Sequence, residues 1–117
     1  GSFVRTYDPA QSRSYKATVA QFAQAAGVRP IDGPVALHVD AFMPRPQRLC
    51  RKRDSPASLP ATCRPDWDNV GKIVADALIG VAYADDAQIA EGRVRKLYHE
   101  VGGMPRVEVA VRGVPCH

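Results

Sequence analysis

The chain is 117 residues long, 45% hydrophobic and 24% charged, which suits one globular domain over 1–117 and excludes a disordered tail. No run approaches the ~18 apolar residues of a membrane span, no signal peptide stands at the front, and the opening Gly1-Ser2 without a methionine reads as a trimmed start. Its 16 basic and 12 acidic residues sum to +4, a sum that hides two adjoining blocks of opposite sign, awkward for a chain that simply coats phosphate backbones.

Asp8-Pro9 is a helix-start signal, an N-cap acid followed by proline at the first helical position. Tyr15, Val19, Phe22 and Ala26 then recur at helical spacing, and Gly27 predicts the stop. Val35 to Met43 alternates, with Val35, Leu37, Val39 and Ala41 on one face, and predicts a strand. Residues 44–64 contain Pro44, Pro46, Pro56 and Pro60 and read as a long mobile loop. Val70, Ile73, Val74, Ala77 and Leu78 form an apolar stripe of roughly 140° on a second helix, with Gly80 as its C-terminal stop. Ile89 to Tyr98 and Met104 to Arg112 predict two further strands, joined by Gly102-Gly103 as a hairpin. The order α-β-loop-α-β-β describes an α+β domain, two helices packed on a small mixed sheet.

The charge is unevenly distributed along the chain. Residues 44–64 carry Arg45, Arg48, Arg51, Lys52, Arg53 and Arg64 against Asp54 alone, whereas 65–91 carry Asp66, Asp68, Asp76, Asp85, Asp86 and Glu91 against Lys72 alone. Clustered carboxylates repel nucleic acid unless cations neutralise them, so the adjoining blocks suggest a metal together with a polyanion. A solvated surface of mixed charge is the plainer alternative. Cys50, Cys63 and Cys116 fit neither a disulfide framework nor a zinc signature, and His38, His99 and His117 form no ligand pair. All six read as structural or incidental, with the cysteines reduced.

Asp66 and Asp68 are two apart and would diverge by ~200° inside a helix. Pro65 favours an extended entry; with Asp66 extended and Asp68 as the helix N-cap, both side chains can project to one side. A plain capping aspartate with a solvated neighbour explains the same spacing. Asp85-Asp86 alone is most often a turn. Joined to the first pair by one amphipathic helix and a returning link, it is expected to bring three or four oxygens near one point, a set that suits Mg2+. Lys72 lies one turn beyond Asp68. It either pairs with Asp68 and Asp76 or faces a phosphate undergoing transfer. Trp67 is expected in the core or at an interface rather than against DNA.

Residues 64–98 resemble the central motif of the RusA-type Holliday-junction resolvases: P-D-x-D-N-x-x-K, then D-A-L, then D-D-x-Q and a downstream lysine. Here these are Pro65, Asp66, Asp68, Asn69 and Lys72, then Asp76-Ala77-Leu78, then Asp85-Asp86-Ala87-Gln88, then Lys96. Family members usually open with a strand and a basic, proline-rich turn. Only Phe3-Val4-Arg5 stands there, so the first strand is expected to be shortened or missing.

The resemblance implies a homodimeric, Mg2+-dependent endodeoxyribonuclease of the cytoplasm, Mn2+ substituting, that resolves four-way junctions by paired symmetric nicks. It implies that Asp66, Asp68 and Asp86 hold the metal, that Lys72 assists at the scissile phosphate, and that Asp85 and Asp76 support them. Arg45, Arg48, Arg51, Lys52, Arg53 and Arg64 would contact DNA, with no membrane and no organic cofactor involved. A nuclease of the same scaffold acting on flaps or forks, and a non-catalytic DNA-binding module, are the alternatives. An enzyme of small phosphates lacks a glycine-rich cradle.

Overall fold

In a computed structural model the described residues are 2–6 and 12–115, with side chains from residue 16 onward. In chain order they form β1 (Ser2–Thr6), α1 (Ser12–Ala25), β2 (Val35–Met43), a 3₁₀ turn (Gln47–Leu49) and β3 (Leu59–Pro60). There follow α2 (Trp67–Ala77), a second 3₁₀ turn (Asp86–Gln88), β4 (Ile89–Tyr98) and β5 (Arg106–Gly113). The strands make one mixed sheet in the order β1-β5-β2-β4-β3. The Asp8-Pro9 start signal, Cys116 and His117 lie outside the described residues.

The central strand explains the topology. β2 buries Val35, Leu37, Val39, Ala41 and Met43 on one face, but Ala36 and Phe42 on the other are also covered. The backbone N–H and C=O groups of a strand buried in this way must be paired along both edges. β4 pairs with β2 in parallel, Val39 opposite Val94, and β5 pairs with it antiparallel, Val39 opposite Val109. The expected hairpin between β4 and β5 is therefore not formed. The chain turns at Gly102 (φ 86°) as the glycine pair implies, but it crosses the end of β2, where the His99 amide donates to the Met43 carbonyl at 3.1 Å.

The expectation of a missing first strand is also corrected. β1 is present and pairs antiparallel with β5, Phe3 opposite Val109, and so covers that sheet edge. The loop of 44–64 is likewise less irregular than its prolines imply. It contains the first 3₁₀ turn, and β3 pairs Leu59 and Pro60 with Tyr98 and Leu97.

Both helices cover the same face of the sheet. Val19 and Ala23 of α1, Val70, Val74 and Ala77 of α2, the odd-numbered residues of β2 and Val107, Val109 and Val111 of β5 form one apolar cluster. Phe22 stays 38% exposed, so the α1 stripe runs through Ala23 instead. Gly27 ends α1 at φ 82°, a left-handed conformation that glycine adopts without strain. The other sheet face carries charge: Arg95 grips Asp40 across β2 and β4 with two 2.8 Å bonds, and the Arg106 guanidinium lies 4.0 Å from the Phe42 ring centre. Among the described residues no helix is long and apolar enough to cross a membrane.

Candidate active site

The first acidic pair sits where α2 meets the sheet. Asp66 is extended (φ −65°, ψ 152°) and is itself the N-cap, which places Asp68 inside the first turn and corrects its assignment as cap. Trp67 opens the helix, and its indole N–H donates to the Val94 carbonyl of β4 at 2.6 Å. One turn on, a Cβ at Gly71 would stand 2.9 Å from Val94 Cγ2, so helix and strand approach as closely as a missing side chain allows. Trp67 is nevertheless 59% exposed and is not a core residue of the single chain.

The carboxylates of this pair remain open. Asp66 makes no capping bond and, among the described residues, faces the exposed Arg64 guanidinium, at 3.4 Å. Asp68 Oδ1 accepts from the Asn69 amide at 3.0 Å, leaving Oδ2 without a partner among the described residues. The positive end of α2 favours negative charge on both. Lys72 is exposed and makes no ion pair among the described residues. Its expected partner Asp76 faces Lys16 of α1 instead, at 3.7 Å. Lys96 donates from Nζ to the Cys63 carbonyl, just ahead of Pro65.

The second acidic pair is built by a different device. Asp85 caps the second 3₁₀ turn, its Oδ1 accepting from the Ala87 amide at 2.9 Å. Gln88 completes a capping box: its Oε1 accepts from the Ala84 and Asp85 amides at 2.9 and 3.1 Å. Its Nε2 donates to the Ile31 and Gly33 carbonyls, both at 2.8 Å, stitching the loop before β2 to the start of β4. The glutamine of the D-D-x-Q motif is thus a structural residue that holds Asp85 and Asp86 in place. The Ala87 amide, followed by Asp86, holds the Asp85 carboxyl below the usual range. Asp86 is raised, first by sharing a hydrogen bond with Asp85, then by desolvation and by the charges of Asp85 and Asp76.

Beneath them Tyr83 is fully buried and donates from its hydroxyl to the Ala75 carbonyl at 2.6 Å. Burial, then the negative charges of Asp86 and Asp76, push its phenol far above the ordinary value. Asp76, Asp86 and Tyr83 therefore form one neighbourhood at the C-terminal end of α2.

The expected convergence of Asp86 on Asp66 and Asp68 does not occur within one chain. Among the described residues no three His, Cys, Asp or Glu side chains come together closely enough to hold a metal ion. The link after α2 turns tightly, with the Ala82 amide on the Leu78 carbonyl at 2.9 Å and the Gly80 amide on the Tyr83 carbonyl at 2.7 Å. It stays beside Asp76, and the return along the helix is made by β4 instead. Asp68 and Asp76 are eight residues apart, about 12 Å along the helix axis.

Of the basic residues assigned to DNA, Arg48, Arg51, Lys52, Arg53 and Arg64 are exposed. Arg45 is not: it is 8% exposed and bonded to backbone carbonyls, which removes it from the contact set. Cys50 and Cys63 are free thiols.

Two comparisons bear on this geometry. The family model described as endodeoxyribonuclease RusA matches residues 1–112. An uncharacterized protein of Bacillus subtilis strain 168, YqaN, is 39% identical over 119 aligned residues, covering 95% of this chain and 80% of the relative.

Proposed function

The chain belongs to the RusA endodeoxyribonuclease family, and we propose that it is a Mg2+-dependent resolvase of four-way DNA junctions, acting as a homodimer through paired symmetric nicks. The observation that carries this reading is the open pair Asp66 and Asp68 at the start of α2, with Lys72, exposed and without an ion pair among the described residues, one turn beyond. Mg2+ commonly takes one or two carboxylates and fills its octahedron with water and substrate phosphate oxygens, so this pair has suitable donors. Bound there, the ion would supply an activated water and charge neutralisation at the phosphodiester. Lys72 would place its ammonium against a non-bridging oxygen, where negative charge grows during displacement.

The separation of the two acidic pairs supports a dimer. If two α2 helices lie antiparallel across a two-fold axis near Lys72, Asp66 and Asp68 of each chain approach Asp86 of the partner subunit. Such an isologous contact creates two equivalent sites, matching the near two-fold symmetry of a four-way junction. Exposed Arg48, Arg51, Lys52, Arg53 and Arg64 would grip the arms by their phosphates, which positions DNA without reading sequence. Mn2+ is expected to substitute for Mg2+.

Subunit mixing tests both parts. Asp68→Asn and Asp86→Asn homodimers are expected to bind a synthetic four-way junction and leave it uncut. Mixed, they form heterodimers in which one shared site keeps Asp68 from one chain and Asp86 from the other, so single nicks should reappear. Cleavage by either homodimer at the wild-type rate would refute the site, and a silent mixture would refute its shared construction. Forks and flaps cut faster than the junction would refute the substrate.

A further inference from the structure

By composition Arg45 belongs with the phosphate contacts of the basic loop, but its surroundings give it another task. Its Nε donates to the Leu49 carbonyl at 2.9 Å, and Nη2 to the Leu49 and Ser55 carbonyls at 2.7 and 2.5 Å. Nη1 donates to Ala57 at 2.8 Å and to His99 at 3.2 Å. A guanidinium has five N–H donors, so these five bonds saturate it. Every acceptor is a backbone carbonyl, and the four residues supplying them come from three separate stretches: the end of the 3₁₀ turn, residues 55–57, and the residue after β4.

We infer that Arg45 is the positioning residue of the DNA-facing loop, an inference that rests on the DNA-cleaving reading above. The clamp ties both flanks of the segment bearing Arg48, Arg51, Lys52 and Arg53 to one buried point beside the sheet. Between the flanks, residues 51–54 close on themselves: the Asp54 amide donates to the Arg51 carbonyl, and the Arg51 amide to Asp54 Oδ2, both at 2.9 Å. The Val101 amide adds a bond to the Pro56 carbonyl at 2.9 Å. The exposed cations thus project from fixed backbone, and a loop ordered beforehand avoids the entropy cost of ordering on DNA. Lysine cannot replace this clamp. It carries equal charge, but its three donors radiate from a single nitrogen and cannot reach acceptors on three stretches of chain.

Arg45→Lys and Arg45→Met test the assignment, with Arg51→Lys as the control. Trypsin measures loop order without any DNA, because Arg48, Arg51, Lys52 and Arg53 are cleavable while Arg45 and Arg64 precede proline. Both Arg45 variants should be nicked in this loop about tenfold faster than wild type, with the control unchanged. Both should bind a labelled four-way junction in EDTA about tenfold more weakly, at an unaltered slope of log affinity against log salt. In Mg2+, KM should rise while kcat at saturating junction holds, a split that general destabilisation would not produce. Wild-type affinity and nicking in Arg45→Lys, or a salt slope reduced by about 0.9 in Arg45→Met, would make Arg45 a phosphate contact and overturn the proposal. If the wild type binds no DNA while Arg45→Lys still speeds nicking, the clamp stands and the DNA reading falls.

Discussion

Gly71→Ala sets two effects of opposite sign against each other. Gly71 lies inside α2, where alanine is favoured over glycine by about 1 kcal/mol. On an open helix surface the substitution would stabilise by that amount. Here the new Cβ would stand 2.9 Å from Val94 Cγ2. Val94 is β-branched and sits mid-strand, so its methyl has little rotameric escape, and overpacking of this kind costs about 1–3 kcal/mol. The net expectation is destabilisation of about 1 kcal/mol, read as a lower urea midpoint at constant m.

The clash itself is isolated by adding Val94→Ala, which removes the opposing methyl. Gly71→Ala in that background should stabilise, giving a coupling of about 2 kcal/mol over the double-mutant cycle. Because Trp67 and Gly71 seat α2 on the same strand residue, lifting the helix also displaces Asp66 and Asp68, and junction cleavage should fall further than stability. If Gly71→Ala alone raises the midpoint, the close approach of α2 to β4 does not exist and the reasoning fails.

Tyr83→Phe removes the hydroxyl that satisfies Ala75 near the last turn of α2, where helix carbonyls lack intrahelical partners; a loss of about 1–2 kcal/mol is expected, and a neutral result would place water at that carbonyl. Gln88→Ala breaks four hydrogen bonds at once and should cost about 2 kcal/mol or more; faster amide exchange at Ala84 and Asp85 would report the loosened turn. The Arg95 hydrogen bond holds the Asp40 carboxyl below its ordinary value of 3.8, with burial acting in the opposite sense. A depressed folded pKa gives stabilisation that is complete above that ordinary value and lost as pH falls through it toward the folded value. Asp40→Asn should therefore cost about 0.5 kcal/mol at pH 7, with the deficit vanishing under acid; an equal deficit at pH 2 would assign the loss to packing.

Local patterns gave reliable element bounds. β2 and β4 lie where alternation and extended character put them, and Val70, Val74, Ala77 and Leu78 form the buried stripe of α2. Pairing was not legible, because it is decided by burial at a distance. Gly102-Gly103 specifies a turn, but not whether the strands it joins pair with each other; here β4 and β5 lie on either side of β2. The helix starts two residues earlier than its spacing suggests, and Trp67 there bonds Val94, 27 positions away, a contact that no local pattern announces. Arg45 stands between Pro44 and Pro46, but nothing in that local sequence announces the carbonyls from three stretches of chain that the fold brings to it.

Distributing the acids over both ends of α2 has a consequence for assembly. Five carboxylates gathered in a lone chain would repel one another strongly. Apart, Asp66 lies near Arg64 and Asp76 near Lys16, so each end of the helix carries a nearby positive charge. On the proposed reading, dimerisation brings the pairs together and raises the repulsion that the metal then offsets. Metal binding and dimerisation are consequently linked: an ion that binds the dimer alone stabilises it by about 2.7 kcal/mol per site at a hundredfold excess over its Kd. Sedimentation at low concentration should show Mg2+ tightening the dimer by about two orders of magnitude per occupied site. In EDTA, Asp86→Asn should dimerise more tightly than the wild type, having lost one repelling charge, and it should respond far less to Mg2+. A dimer equally tight with and without Mg2+, in wild type and variant alike, would mean that the acids of the two subunits do not meet.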